Sequence, residues 1–199
     1  MENILSLKNI VKIYPNGVIA NKDVSIDIEE HTIHAIVGEN GTGKSTLVKV
    51  IFGEEIPEEG EVLYKGEKVS FKNSLDAIQK GIGMVHQQLM LAPDLTVAEN
   101  LVLGIEPSKY GLFLDFKKIT EMTEAACKEF GFKIPLHTMI RNLPIGIRQN
   151  VEILKVLMRN AELIIFDEPT TILTPQETES LFKTLKELKQ HGKTIIFIS

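Results

Sequence analysis

Hydrophobic residues fall along this chain in two rhythms. Residues 4 to 13 and 24 to 29 alternate apolar and polar side chains, as strands of a half-exposed sheet do, with a turn at Tyr14-Pro15-Asn16-Gly17 between them. Ile33 to Val37, Ile82 to Val85 and Thr194 to Ser199 read as further strands. Leu163 to Phe166 is a continuous apolar run suited to a parallel strand buried on both faces. Val62 to Tyr64 predicts a short strand between turns at Pro57 to Gly60 and Lys65 to Lys68.

The second rhythm is helical. Ser45 to Phe52 follows one strand, and Ser74 to Lys80 is closed by Gly81. Leu89 to Pro93 is an apolar loop broken by proline. Thr96-Val97-Ala98-Glu99 is a capping box that opens a helix running to about Leu103. Gly104, Pro107 and Gly111 predict an irregular connection. Phe116, Ile119, Met122, Ala126 and Phe130 then recur at helical spacing, from the N-cap candidate Asp115 to Gly131. Gly146 to about Asn160 is another helix. In the last one, Thr174-Pro175-Gln176-Glu177 forms a second capping box, Leu181, Phe182, Leu185 and Leu188 give the apolar face, and Gly192 closes it. The pattern predicts a strand-based core from 1–88 and 161–199, interrupted by a mostly helical insertion, 89–160.

Composition narrows the picture. With 199 residues, 43% hydrophobic and 25% charged, the chain has an ordinary globular make-up and can bury a sizeable core. A net charge of −5 argues against nucleic acid as the main partner. One cysteine, Cys127, cannot form an internal disulfide and fits a reducing compartment. Met1 to Ile10 carries Glu2 and Lys8 without a long apolar core, and no run reaches membrane-spanning length. The five histidines form no H-x-x-x-H pair, so zinc is not expected.

Gly38-Glu39-Asn40-Gly41-Thr42-Gly43-Lys44-Ser45-Thr46 matches G-x-x-x-x-G-K-[ST], the phosphate-binding P-loop, in its proper strand-to-helix setting. Glycines let the backbone curl around a polyphosphate with N–H groups inward, and the helix dipole adds to the pull. Lys44 is expected at the β- and γ-phosphates and Ser45 on Mg²⁺. Leu163 to Phe166 ends in Asp167-Glu168, and ligands of open α/β sheets lie beyond the carboxyl ends of strands. Asp167 is thus a Mg²⁺ ligand candidate. Glu168 is the candidate that orients and deprotonates the attacking water. Gln87, at another strand end, can meet the metal or the water through its amide oxygen. Asn21-Lys22-Asp23 does not make the guanine-reading pattern.

In motif order, nearly the whole chain resembles the nucleotide-binding subunits of ABC transporters. The resemblance implies an α/β P-loop core of mainly parallel strands with an N-terminal antiparallel β subdomain and a helical insertion. Tyr14, which alone reads as a turn-packing tyrosine, corresponds to the residue that stacks on adenine. Gly38 to Thr46 is Walker A, Gln87 the Q-loop glutamine, and Leu163 to Glu168 Walker B. Leu143 to Gln149 is the signature, in which Pro144, Ile145, Gly146, Arg148 and Gln149 face the nucleotide of an opposite half. His86-Gln87-Gln88-Leu89, Val151-Glu152-Ile153-Leu154-Lys155 and Leu173-Thr174-Pro175-Gln176-Glu177 look most like importers of simple sugars (ribose or galactose type) and nucleosides. There, one polypeptide carries two ATPase halves, and this chain resembles the first.

The implied activity is Mg²⁺-dependent ATP hydrolysis at the cytoplasmic face of a membrane. The implied partners are permease subunits, a second ATPase half and, indirectly, an extracytoplasmic substrate-binding protein. A soluble ATPase of the same type without a membrane partner and a degenerate regulatory half are the alternatives. Pro144 stands where the family carries serine, so its signature has no hydroxyl for a γ-phosphate. Thr174 stands where many members carry the aspartate of the D-loop. The family histidine that follows the last strand lies beyond Ser199, so the chain as given is expected to bind nucleotide and hydrolyse it weakly.

Overall fold

The computed structural model describes residues 2–109 and 113–199. Two four-stranded sheets carry the architecture. The first is antiparallel, in the order β2-β1-β4-β5, with β1 Asn3–Ile13, β2 Ile19–Glu29, β4 Glu59–Tyr64 and β5 Glu67–Val69. The second is parallel, in the order β3-β10-β9-β6, with β3 Ile33–Ile36, β6 Ile82–Val85, β9 Leu163–Asp167 and β10 Thr194–Ile198. This is an α/β P-loop fold with an antiparallel β unit at its N-terminal side.

The helices are α1 Lys44–Ile51, α2 Ser74–Gln79, α3 Val97–Val102, α4 Phe116–Glu129, α5 Ile145–Leu157 and α6 Pro175–Gln190. Both predicted capping boxes are present, at Thr96 with Glu99 and at Thr174 with Glu177. Asp115 caps α4 by accepting from the Lys118 N–H.

The parallel strands divide their side chains between two cores, as the alternation of a strand requires. Leu163 and Ile165 of β9 join Leu47, Ile51 and the antiparallel sheet on one face. Ile164 and Phe166 join Ile153 and Leu157 of α5 and Leu181, Leu185 and Leu188 of α6 on the other. A third cluster, with Val97, Leu101, Ile140, Val151 and Leu154, binds α3 to the other side of α5.

Several expectations need correction. β2 begins at Ile19, five residues before the alternation at Val24, because Ile19 and Asn21 already pair with Ile13 and Lys12 of β1, and an irregularity in register takes up Lys22 and Asp23. β4 begins at Glu59, inside the predicted turn. Gly60, at φ 99°, passes so close to β1 that a Cβ would lie 2.6 Å from the Lys8 and Asn9 carbonyls. The turn predicted over Lys65 to Lys68 shrinks to Lys65-Gly66. Both residues have positive φ, the geometry of a two-residue hairpin, and β5 follows. Near Pro107, Ser108–Lys109 (β7) pairs with Phe113–Leu114 (β8), while Gly111 lies outside the described residues. Phe116 is 61% exposed, so it is not on the buried face of α4. α5 runs from Ile145 to Leu157, ending before Asn160.

Candidate nucleotide site

The parallel sheet positions the site by its strand order. β3, β10, β9 and β6 end side by side, and their carboxyl ends deliver the P-loop, Ser199, Asp167-Glu168 and His86-Gln87 along one edge. The Gly38 N–H donates to the Ser199 carbonyl at 3.3 Å, fixing the start of the P-loop to the end of β10.

The loop itself needs its glycines. Gly41 and Gly43 have φ of 82° and 90°, in the left-handed region that side chains disfavour. At Gly43 the approach is also tight: a Cβ would stand 2.1 Å from the Ala20 carbonyl oxygen. Asn21 of β2 donates from Nδ2 to the Gly43 carbonyl at 3.1 Å, so the antiparallel sheet buttresses the loop. Sequence reasoning passed over Asn21 as a site residue, because nothing local ties β2 to residue 43.

The Lys44 side chain is buried and its ammonium donates to the carbonyls of Gly38 and, at 3.0 Å, Glu39. The charge is thus held inside the curl of the loop. Thr42 Oγ1 also donates to Glu39 O, at 2.9 Å. Asn40 is exposed on the loop. Tyr14 lies beside the loop's helix, with its hydroxyl 3.2 Å from Thr46 Oγ1 and Lys12 Nζ 5.7 Å from its ring centre. Lys12 is itself buried and paired with Glu55 at 3.2 Å and Glu58 at 3.1 Å. The motifs gave no sign of that cluster.

At the end of β9, burial pushes the Asp167 carboxyl above its ordinary pKa and the neighbouring Glu168 charge adds to this, against His86, Lys49 and the Ser45 hydroxyl. Asp167 Oδ1 is buried with no hydrogen-bond partner. A buried carboxylate oxygen left unpaired is costly unless a cation completes it. Ser45, Asp167 and Gln87 offer hard oxygen donors, the set that suits Mg²⁺ held by few protein groups together with phosphates. The residues therefore fit the metal that the P-loop fold implies. Glu168 has φ 45°, a strained value for a residue with a Cβ, and Gln87 Nε2 donates to its Oε2 at 3.0 Å. Gln87 and Glu168, 81 residues apart, are brought into contact only by the pairing of β6 with β9.

The signature residues lie elsewhere. The hydrogen bonds of Gly146 and Gln149 run to α6 and to the turn after β9, and those of Arg148 stay within its own segment. Gly146 N–H donates to Glu177 Oε1 at 3.1 Å, and Gln149 Nε2 donates to the Pro169 carbonyl at 2.9 Å. Arg148 turns back on Leu143 O at 2.8 Å and Arg141 O at 3.0 Å. Pro144, exposed, is the N-cap of α5, and Ile145 is half-buried behind it.

A groove of about 910 Å³ lies between Phe52 and His86 of the core, Glu152 and Lys155 of α5 and Arg159 just beyond it, with Met90 also in its lining. Burial pushes the Glu152 carboxyl up and the Lys155 ammonium down, each partly offset by the other. Among the described residues, no helix is long and apolar enough to cross a membrane.

Comparison with known proteins agrees with this geometry. The family model described as ABC transporter matches residues 21–171. The chain belongs to the ABC transporter family, and its fold is that of the family's ATPase domains. It is 42% identical over 196 residues to the guanosine import ATP-binding protein NupO of Bacillus subtilis, covering 98% of this chain and 38% of that protein. It is 42% identical over 195 residues to the arabinose import ATP-binding protein AraG of Yersinia pestis, covering 98% and 37%. The galactose/methyl galactoside import ATP-binding protein MglA of Clostridium perfringens is 41% identical over 197 residues, covering 99% and 38%. The chain thus spans less than two fifths of the length of these relatives. Among solved structures, the ADP conformation of MJ1267, an ATP-binding cassette of an ABC transporter, superposes with a TM-score of 0.86 at 28% identity, covering 100% of this chain and 82% of that one.

Proposed function

We propose that this chain is an ATP-binding and ATP-hydrolysing domain that energises an importer of simple sugars or nucleosides from the cytoplasmic face of the membrane. The observation that carries the reading is the convergence of Lys44, Ser45, Asp167, Glu168 and Gln87 at neighbouring strand ends. The identity to sugar and nucleoside import proteins supports the cargo class.

The residues divide the work as follows. Lys44 and the N–H groups of the 38–46 curl bind the β- and γ-phosphates, and Tyr14 stacks on the base. Ser45, Asp167 and Gln87 would hold Mg²⁺, which would neutralise charge on the phosphates when bound. Glu168 orients the attacking water and takes its proton, in a position that its contact with Gln87 helps to fix. Residues 144–149 serve the nucleotide of a second ATPase half, so two halves sandwich each ATP. The groove bounded by Phe52, His86 and α5 receives the permease, with residues 89–160 moving against the 1–88 and 161–199 core. A substrate-binding protein outside the membrane touches the permease, not this chain.

Mg²⁺-ATP binding measured by calorimetry on the chain and on Lys44→Ala tests the site. Loss of one charge-assisted contact predicts affinity lower by at least about tenfold. Equal affinity would remove Lys44 from the phosphate site. Uptake of a simple sugar or a nucleoside by vesicles holding the assembled transporter tests the cargo, and uptake of neither would refute it.

A further inference from the structure

The two capping boxes of this chain are not alike. In α3 the Glu99 carboxylate turns back on Thr96 alone, with Oε2 accepting from its N–H at 2.8 Å and its hydroxyl at 2.6 Å. In α6 Glu177 makes the same pair through Oε2, to Thr174 N and Oγ1, both at 2.9 Å. Its other oxygen reaches out of the helix to the Gly146 N–H at 3.1 Å. One carboxylate finishes two helix N-termini.

The reason lies at the start of α5. Its N-cap is Pro144, which has no side-chain acceptor, so the 13-residue helix lacks a cap of its own. Gly146 leaves room for a substitute, since an added Cβ would lie 2.8 Å from Glu177 Oε1 and 3.1 Å from its Cγ. The bonds from Thr174 and Gly146 hold the Glu177 carboxyl below the usual carboxylate range, the Thr174 N–H contributing most. An anion therefore sits on the signature's backbone donor at any neutral pH.

We propose that Glu177 is an intramolecular occupant of the signature, and that closure over the opposite nucleotide exchanges this carboxylate for a terminal phosphate on the Gly146 N–H. The inference rests on the sandwich reading given above. One N–H cannot serve two anions at full strength, and two anions held around it repel across a few ångströms. Release is local. The Oε2 bonds to Thr174 belong to the cap of α6 and do not require Oε1, so a turn of the Glu177 side chain frees Gly146 while α6 keeps its cap. Glu177 is half-exposed, so water can take over the freed oxygen. The exchange makes closure harder to start by accident.

The test uses the full-length polypeptide in its assembled transporter, carrying Glu168→Gln so that bound ATP is retained. ATP remaining after rapid gel filtration is measured against ATP concentration. Glu177→Gln removes the charge. Glu177→Asp, one methylene shorter, leaves a carboxylate for Thr174 that does not also span to Gly146, which separates the contact from the helix cap. Both variants are expected to reach half-maximal trapping at roughly threefold to tenfold lower ATP, the range of one lost hydrogen bond. Any other pattern, including an unchanged or raised ATP requirement in either variant, overturns the exchange. A Glu168→Gln parent that traps no ATP overturns the sandwich reading itself, and the exchange with it.

Discussion

The P-loop and the signature are both helix N-termini preceded by a tight turn, and the chain finishes them in opposite ways. At α1 no side chain caps the helix, its first turn holds no acidic residue, and the nearest charge is the Lys44 ammonium bonded to loop carbonyls. At α5 the N-cap is equally bare, but a carboxylate from α6 supplies the missing acceptor. The first end gathers positive potential where a polyphosphate fits. The second is neutralised by the chain's own anion. The glycines repeat the contrast. A Cβ on Gly43 would stand 2.1 Å from a backbone carbonyl that cannot yield, whereas a Cβ on Gly146 would stand 2.8 Å from the movable end of a glutamate. One end is built to stay, the other to change partners.

Substitutions at those glycines should separate the two ends. Gly43→Ala adds a Cβ at φ 90° against Ala20 O, so the loop must be displaced. A cost of about 3 kcal/mol is expected, lowering the melting temperature by about 10 °C and removing Mg²⁺-ATP binding. An unchanged melting temperature would show that the loop is more pliable than its contacts imply.

Asp167→Asn gives a smaller effect with two signs. Its folded pKa is raised, so ionised Asp167 disfavours the folded chain, and that penalty grows as pH rises through the unfolded and then the folded pKa. The amide should therefore melt higher than the parent above that range and match it below. Mg²⁺ affinity for the nucleotide complex should fall at least about tenfold. In the parent, Mg²⁺ binding should weaken with acid from a higher pH than an ordinary aspartate would allow. A lower melting temperature at neutral pH in the amide would contradict the burial argument.

Gly146→Ala is the mildest. Losing the Glu177 contact and gaining helix propensity nearly offset, so stability should stay within about 1 kcal/mol of the parent by thermal melting. A loss as large as that of Gly43→Ala would mean that the signature turn is as fixed as the P-loop.

Much of this molecule was legible in its residues because the signals were local. The apolar run at β6 gave its limits to the residue, and the Thr96 and Thr174 boxes named both N-caps. The P-loop and Asp167-Glu168 announced a nucleotide site because their chemistry is carried by consecutive residues. What stayed hidden depends on partners distant in the chain. The first residues of β2 carry no alternation and are strand only because β1 lies beside them. Asn21 on Gly43, 22 residues apart, and Glu177 on Gly146, 31 apart, have no periodicity to betray them. Phe116 obeys the helical spacing of α4 yet lies at its exposed start, a reminder that spacing assigns a stripe and not its burial.

The division of β9 between two cores also has a meaning in time. Leu163 and Ile165 anchor one side of the strand and Ile164 and Phe166 the other, all fully buried, with β10 paired alongside in the same manner. To open this strand the molecule must give up both cores at once, so its amides should be among the last to exchange with solvent. Asp167 is the final residue of that strand, and the backbone turns to positive φ at the next one, Glu168. The Asp167 carboxylate thus stands on one of the slowest clocks in the protein, one peptide bond from a residue held under strain.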